Sequence, residues 1–339
     1  MKATTPGIAV LLTCVVGAST VAAQAPQDSF FRVFELRQEN NNSNNKEQTQ
    51  AEVQRRAKAE AAQRRGGPRG QRGGQGRGQG ETTETLTRIV RLVPGGTFDL
   101  RNPVGDITIT GGGSEARIEA IKRVRNMPDG RMRALLEATR IDIAERGGNV
   151  QVRTVHPPVR GVATVDYIIT LPQNANIILR TTSGNVSVQN ISGDELTADT
   201  LSGNFTVRDL RSRMLQVHTV TGNMLLHDIA TQRAILDSVA GNLEFAGRLL
   251  RNGQYELQTH SGDIRVTPSG NPGFDLEAKT YRGDLRSDFV LRLLQQQPSA
   301  GARGPRLQKF LRGTVGDAGA TLTTSSFSGN TEILKPGAP

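Results

Sequence analysis

The chain has 339 residues, and its 42 Lys and Arg exceed its 32 Asp and Glu. This length predicts about two domains. Cys14 is the only cysteine and lies in an apolar N-terminal stretch, so the rest of the chain has no disulfide, no cysteine metal site and no thiol nucleophile. Trp is absent and Tyr occurs three times, which argues against a large platform of aromatic rings for carbohydrate.

Residues 1–23 predict a secretory signal peptide. Lys2 carries the charge, GIAVLLTCVVGA is the apolar run, and VAA before Gln24 is a small-residue cleavage site. The run is too short to anchor the chain in a bilayer, so the mature chain is expected to have no transmembrane helix. Thr13 and the apolar residues after Cys14 argue against a lipoprotein. The chain is therefore expected to be exported to the periplasm, the outer envelope or the exterior of a bacterium.

Residues 24–81 predict a disordered, low-complexity linker that is first rich in Asn and then in Arg and Gly. Outside the cytoplasm, its cations would meet anionic envelope polymers or lipid headgroups, and nucleic acid is a disfavoured partner. A plain solvated spacer is the alternative. The candidate contacts to an anionic surface are Arg55, Arg56, Arg64, Arg65, Arg69, Arg72 and Arg77.

A repeat built on glycine follows. Each repeated glycine precedes Asn or Asp, and Gly-Asn and Gly-Asp are turn dipeptides because both residues tolerate positive φ. From Gly184 to Gly283 the gaps are 19, 19, 19, 21 and 21 residues, and the next copy follows after 46. The glycines are Gly105, Gly184, Gly203, Gly222, Gly241, Gly262, Gly283 and Gly329.

Apolar residues alternate with polar ones on both sides of each glycine, which predicts strand, turn and strand in every unit. Two polar columns recur at fixed places. In a solenoid each column contacts its own copies about 4.8 Å away, so the columns predict ladders that satisfy each other's polar groups in a parallel β-solenoid, in preference to a meander of hairpins. These columns are Asn185, Asn204, Asn223, Asn242, Asp263, Asp284 and Asn330, and Thr181, Thr200, Thr219, Ser238, Thr259, Thr280 and Ser326.

The expected fold is all-β: a parallel β-solenoid, similar to a single-stranded β-helix, preceded by β-hairpins and one short helix, with a disordered basic segment before it. PDGRMRALLEATR, residues 128–140, predicts the helix, with Asp129 as N-cap. The expected domain spans residues 82–335. Its parts are N-terminal strands and helix (82–176), regular coils (177–287), a loop insertion (288–316) and a closing coil (317–335).

The sequence ETLTRIVRLVPGGTFDLRNPVGDITITG, the Ser-Gly-Asn and Ser-Gly-Asp units and the closing TLTTSSFSGNTEIL resemble the bacterial putative-adhesin domain family. The resemblance covers about residues 82–335. It implies a β-solenoid in an exported envelope protein. It implies adhesion only through the family's name, and it supplies no catalytic residues.

Three further patterns are candidate sites. The column Asp199, His218, Asp237, Gln258 and Lys279 is interpreted as an exposed mixed-charge face, although neighbouring Asp and His also suit acid–base catalysis. The corners lack the Gly and Asp density of calcium-binding repeats, so no metal or cofactor is expected. A third column is apolar where alternation predicts exposure. It contains the candidate ligand residues His260, Tyr281 and Phe327, and cover by residues 288–312 is the preferred explanation.

The sequence thus predicts a non-enzymatic, exported module that binds or supports the cell envelope. Its partner would be an anionic polymer, lipid headgroups or another envelope protein. A carbohydrate-active enzyme on a β-helix and an electrostatic tether that acts through the basic tail are the alternatives.

Overall fold

The computed structural model describes residues 81–125, 127–158, 161–270, 273–293 and 309–337. The signal peptide, residues 24–80 of the linker and its arginines lie outside these residues and stay predictions, whereas Glu81, the last residue of the predicted linker, begins the first strand. The described part holds 20 strands in one hydrogen-bonded sheet and one helix, so the predicted all-β class is confirmed.

The helix, α1, spans Asp129–Ala138. The strands are β1 (Glu81–Val90), β2 (Thr97–Val104), β3 (Ile107–Gly111), β4 (Ala116–Arg125), β5 (Arg140–Arg146), β6 (Asn149–Val155), β7 (Thr164–Leu171), β8 (Asn176–Ser183), β9 (Val186–Ile191), β10 (Glu195–Ser202), β11 (Phe205–Thr221), β12 (Met224–Ala240), β13 (Leu243–Ser261), β14 (Ile264–Ser269), β15 (Phe274–Arg282), β16 (Leu285–Ser287), β17 (Arg292–Leu293), β18 (Lys309–Val315), β19 (Ala320–Ser328) and β20 (Thr331–Ile333).

Strand segments that precede a repeated glycine pair with one another in parallel, and we call this series the leading ladder. Leu196 lies opposite Leu215, and Leu215 lies opposite Ala234, so equivalent residues of successive units are direct neighbours. The order is β6, β2, β8, β10, the C-terminal halves of β11, β12 and β13, then β19 and β15.

Segments that follow a glycine form a second parallel series, the trailing ladder. Here Val186 lies opposite Phe205, and Phe205 lies opposite Met224. The order is β7, β3, β9, the N-terminal halves of β11, β12 and β13, then β14, β20 and β16. The two ladders bury one core, because the alternating apolar side chains of both point inward; Leu215, Val217 and Phe205 are each 0% exposed. A buried side chain of this size contributes about 1.5–3 kcal/mol.

Each corner glycine is needed for two reasons. Gly222 has φ of 137°, a value that side-chain-bearing residues rarely adopt. A Cβ on Gly222 would also lie 2.0 Å from the carbonyl oxygen of Gly203, the same corner in the preceding unit. The corners of successive units therefore pack backbone on backbone, and no other residue fits there.

Antiparallel strands and α1 close one end of the stack. β4 pairs with β7 and β1 pairs with β4, both antiparallel, while β5 and β6 form the predicted hairpin through Gly147 and Gly148. Met132, Leu135 and Leu136 of α1 are buried in a small cluster with Val124 of β4. The helix begins after Pro128 without a side-chain cap, so the prediction of Asp129 as N-cap is wrong; Asp129 lies in the first turn.

The last unit in the sequence is not the last in the stack. β19 pairs with β13 on one side and with β15 on the other, so the Gly329 unit lies between the Gly262 and Gly283 units. The sequence order predicts this unit at the end. The chain instead builds the outer unit first, adds β18 antiparallel to β15, and returns to fill the gap.

Replacing Gly222 by Ala is expected to lower the free energy of unfolding by about 3 kcal/mol or more, because the backbone strain alone costs about 1–3 kcal/mol and the new Cβ meets a backbone oxygen. Urea unfolding of the variant and the wild type measures this change. Gly130→Ala is the control, since Gly130 lies in α1 with nothing within 4 Å of the added Cβ. Equal losses for the two variants would contradict a tight backbone contact at the corner.

Candidate functional site

An apolar line of side chains runs along the stacked corners, two residues before each glycine. We call it the corner stripe. In the order of the stack it consists of Leu201, Val220, Val239, His260, Phe327 and Tyr281. Leu201 is 50% exposed, Tyr281 46% and Phe327 40%, although each is large and apolar.

Three rings of the corner stripe stack on one another. The centroids of His260 and Phe327 are 4.7 Å apart with nearly parallel planes, at 3°. Phe327 and Tyr281 follow at 5.4 Å with a tilt of 34°. Phe327 therefore has a ring neighbour on each side, while His260 and Tyr281 each have one ring neighbour in the stack.

The preferred explanation of this column, cover by residues 288–312, is not seen in the described part of that segment. Lys309 of β18 lies opposite Thr280 of β15, so β18 extends the leading ladder and does not cross the corners. Residues 294–308 lie outside the described residues. The sequence does single out His260, Tyr281 and Phe327, but only the inserted Gly329 unit places Phe327 between the other two.

The Asn and Asp residues after each glycine form a continuous hydrogen-bonded ladder beside the stripe. Asn185 Oδ1 accepts the backbone N–H of Asn204 at 3.1 Å, and Asn204 Oδ1 accepts that of Asn223 at 3.0 Å. The ladder continues through Asn242, Asp263, Asn330 and Asp284 at 2.7–2.9 Å, so one side-chain oxygen bonds each next corner.

The Thr and Ser column behaves differently from the prediction. Its hydroxyls do not bond the Asn and Asp column. Thr259, Ser326 and Thr280 donate to the corner glycine carbonyl of the neighbouring unit, at 3.3, 3.3 and 2.9 Å. The buried hydroxyls of the other four have no hydrogen-bond partner among the described residues; they belong to Thr181, Thr200, Thr219 and Ser238.

In the Gly105 unit Asn102 takes the place of the Thr or Ser. Its Nδ2 donates to the carbonyl of Val165 at 2.7 Å, and its Oδ1 accepts from Thr154 at 3.0 Å. Thr154 also bonds the hydroxyl of Tyr167, whose pKa burial raises to about 12. This satisfied polar cluster fixes the first unit of the stack.

The Asp, His and Asp column comes together as neighbouring strands require. Asp199 lies opposite His218, and His218 lies opposite Asp237. His218 Nδ1 is 2.9 Å from Asp237 Oδ2, and its other ring nitrogen is 2.7 Å from Gln216 Nε2. The hydrogen bond to Asp237 raises the pKa of His218, and burial opposes this effect.

At its far end, the column that contains His218 has a different order of residues from the one that the sequence predicts. Ser325 of the inserted unit separates Gln258 from Lys279. Asp199 lies 3.6 Å from Arg180. Both ring nitrogens of His218 have hydrogen-bond partners, Asp237 and Gln216. Among the described residues, no cluster of His, Cys, Asp and Glu is able to hold a metal ion.

The structure reveals a second set of corners that the sequence patterns above do not predict. Asn190, Asp209 and Asp228 adopt positive φ values of 56°, 49° and 55°. They lie six residues after successive repeated glycines. Their spacing of 19 residues is the sequence signal from which these corners could have been predicted. Asn and Asp suit this left-handed turn because their short polar side chains bond nearby backbone groups. Asn190 Nδ2 does so, donating to the carbonyl of Gly111 at 3.0 Å.

A cavity of about 320 Å³ lies apart from the corners, between β5, β6, β2 and β8. Asp99, Arg146 and Gln151 line it, and Gln151 donates to Asp99 at 3.0 Å. None of the residues predicted as sites lines this cavity.

Within the described ranges, no helix is long and apolar enough to cross a membrane.

Asn204→Leu is expected to lower the free energy of unfolding by about 1 kcal/mol, because it removes the acceptor for the N–H of Asn223 at an exposed corner. Asn204→Asp is the matched control, since Asp occupies the same column at Asp263 and keeps the oxygen. Chemical denaturation of both variants measures the difference. If Asn204→Asp loses as much stability as Asn204→Leu, the ladder does not act through this acceptor.

The His218–Asp237 pair is expected to make stability depend on pH. Since the folded pKa of His218 lies above its ordinary value of 6.5, the contribution is complete below that value and disappears as the pH rises through the folded pKa. The thermal midpoint of the wild type should therefore exceed that of Asp237→Asn more at pH 5 than at pH 9. In a His218→Gln background the same comparison should be independent of pH. A difference that is the same at both pH values would argue against the pair.

A family model, Toastrack DUF4097, matches residues 38–333. A comparison with the curated proteins finds no match. Among solved structures, a putative adhesin from Bacteroides fragilis is 15% identical over 74% of this chain and 97% of that chain, with a TM-score of 0.43. A putative cell adhesion protein from Clostridium sporogenes is 12% identical, covers 75% and 100%, and has a TM-score of 0.35. A putative lipid binding protein from Parabacteroides distasonis is 10% identical, covers 74% and 96%, and has a TM-score of 0.34. Because the family model spans well over half of its length, the chain belongs to the Toastrack DUF4097 family.

Proposed function

We propose that the protein is a non-enzymatic, exported binding module of the bacterial cell envelope, and that it contacts its partner through the corner stripe. The observation that carries this proposal is the line of mainly apolar side chains, four of its six exposed, that ends in the ring stack of His260, Phe327 and Tyr281. Large apolar side chains that line up on a surface are typical of interaction sites. Export rests on the N-terminal signal sequence.

The backbone that carries the stripe is held in place by the fold. Each stripe residue lies two residues before a corner glycine, whose backbone packs too closely on the neighbouring corner to admit a Cβ. The Asn or Asp that follows this glycine accepts a hydrogen bond from the backbone N–H of the next corner. Because ordering costs are met on folding, little side-chain and backbone freedom is lost on binding. This supports a binding role in which the arrangement of the stripe is already formed before the partner binds.

The chemistry of the stripe favours a protein partner over a sugar or an anionic polymer. The rings of His260, Phe327 and Tyr281 stack on one another and the other members of the stripe are aliphatic, which suits the apolar core of a protein interface. Aromatic side chains in such cores supply much of the binding energy. We infer that the partner is another envelope protein with an apolar patch.

The parallel ladders support the finer description of the fold as a β-solenoid. Each unit contributes one segment to the leading ladder and one to the trailing ladder, and equivalent residues repeat along both. In a solenoid, equivalent residues of successive units line up in a column on the surface, so each column forms a long, narrow line that a partner can bind. The corner stripe is such a line.

Enzymatic cleavage of carbohydrate is the second candidate, and the contact between His218 and Asp237 is the observation in its favour. A general base needs a nitrogen that points to substrate. Both ring nitrogens of His218 have neighbours within 2.9 Å, and the pair fits a cross-strand ion pair on an exposed sheet. The binding module is therefore the better supported function.

The double variant Phe327→Ser with Tyr281→Ser is expected to bind bacterial envelope fractions at least tenfold more weakly than the wild type, since two aromatic contacts are lost. Binding of labelled protein to the fractions measures this. Ile168→Ser is the matched control, because Ile168 is 49% exposed on β7, away from the stripe. Treating the fractions with protease should abolish wild-type binding. Binding that survives protease, or that the double variant retains, would contradict the proposal.

A further inference from the structure

β1 forms an open edge of the sheet. Among the described residues it pairs only with β4, through all ten of its residues, and its other edge faces no strand. Seven of the ten residues are exposed, whereas residues of central strands alternate between buried and half-buried. A long strand of this kind offers its unpaired N–H and C=O groups to another strand.

We propose that β1 pairs antiparallel with β1 of a second copy of this chain, with the two-fold axis at Leu86. In this register Glu84 lies opposite Arg88 of the other copy, and Thr85 lies opposite Thr87. Glu81 lies opposite Arg91, the residue that follows the strand. By symmetry each pair forms twice, so four ion pairs flank the axis, and the sheet continues from one copy into the other.

The charges on β1 are arranged for this partner. Arg88 and Arg91 make no salt bridge with any other described residue. Glu84 contacts Lys122 at 3.2 Å and keeps its side chain 49% exposed; Glu81 contacts Arg125 at 3.0 Å and is 39% exposed. Each carboxylate therefore has a second oxygen free for a cation, and the guanidinium groups of Arg88 and Arg91 are not in a salt bridge, although the backbone N–H of Arg91 donates to Glu145 Oε2 at 3.0 Å.

Alternative registers are disfavoured by like charges. Moving the axis to Glu84 sets Glu84 opposite its own copy, and moving it to Arg88 sets Arg88 opposite its own copy. Opposed like charges destabilise a strand pair, while opposed unlike charges contribute roughly 0.2–1 kcal/mol. Axes at Thr85 or Thr87 oppose no like charges but also pair no Glu with an Arg, so the axis at Leu86 is favoured because it alone among these registers forms ion pairs.

The test is a charge swap followed by sedimentation velocity of the full chain over a range of micromolar concentrations. The wild type is expected to sediment as a dimer. Arg88→Glu should raise the dimer dissociation constant at least tenfold, since the carboxylate of Glu84 then faces a second carboxylate. Adding Glu84→Arg to that variant should restore the dimer, because the opposed charges are again unlike. Arg208→Glu, an equal charge change at an exposed residue of β11, should leave the dimer intact.

Cysteine cross-linking tests the register without depending on the charge variants. In a Cys14→Ser background, Thr85→Cys with Thr87→Cys should give a disulfide-linked dimer, because opposed residues have Cα atoms about 4.5–5.5 Å apart. Either single Cys variant should give none, since its copy lies diagonally, about 7–8 Å away. A monomeric wild type, a dimer insensitive to Arg88→Glu, or failure of the charge swap to restore it would overturn the proposal.

Discussion

The contact between the backbones of successive corners governs this fold. At each corner the glycine lies so close to the carbonyl of the preceding one that a Cβ would sit about 2.0 Å from that oxygen. The same backbone is held by hydrogen bonds, as from the N–H of Gly203 to the carbonyl of Thr221 at 3.0 Å. Units can approach to the spacing of paired strands only because both residues at the contact are glycine. Every other column of the stack inherits this spacing.

The side chains around the corner show what a fixed spacing does. An Asn one residue after the glycine always reaches the next corner's N–H, so a single amide side chain suffices in each unit. A hydroxyl three residues before the glycine reaches a carbonyl in some units and not in others, because its shorter side chain leaves less tolerance. A residue two positions before the glycine points outward. Apolar residues at that place become an exposed line.

The same stacking geometry brings together side chains that resemble a catalytic acid–base pair. Asp199, His218 and Asp237 are neighbours because every residue at that position is a neighbour of its copies. Proximity in a stacked column is therefore weaker evidence for catalysis than proximity between distant parts of a chain. The ring stack differs, since Phe327 and Tyr281 remain large, apolar and exposed in a fold that buries such residues elsewhere.

The sequence by itself determined the all-β class, the strand–turn–strand unit and the residues of each column, because a glycine that must adopt positive φ and an alternation with period two are local properties. It also marked α1 and the hairpin of β5 and β6. It did not determine the order of the units: Phe327 lies between His260 and Tyr281 only because β19 enters between β13 and β15. That order depends on which strand edges are open when the chain returns, which is a property of pairing partners and not of the residues in one segment. The tertiary structure therefore decided how the stripe is assembled and which edge of the described sheet, that of β1, is left unpaired.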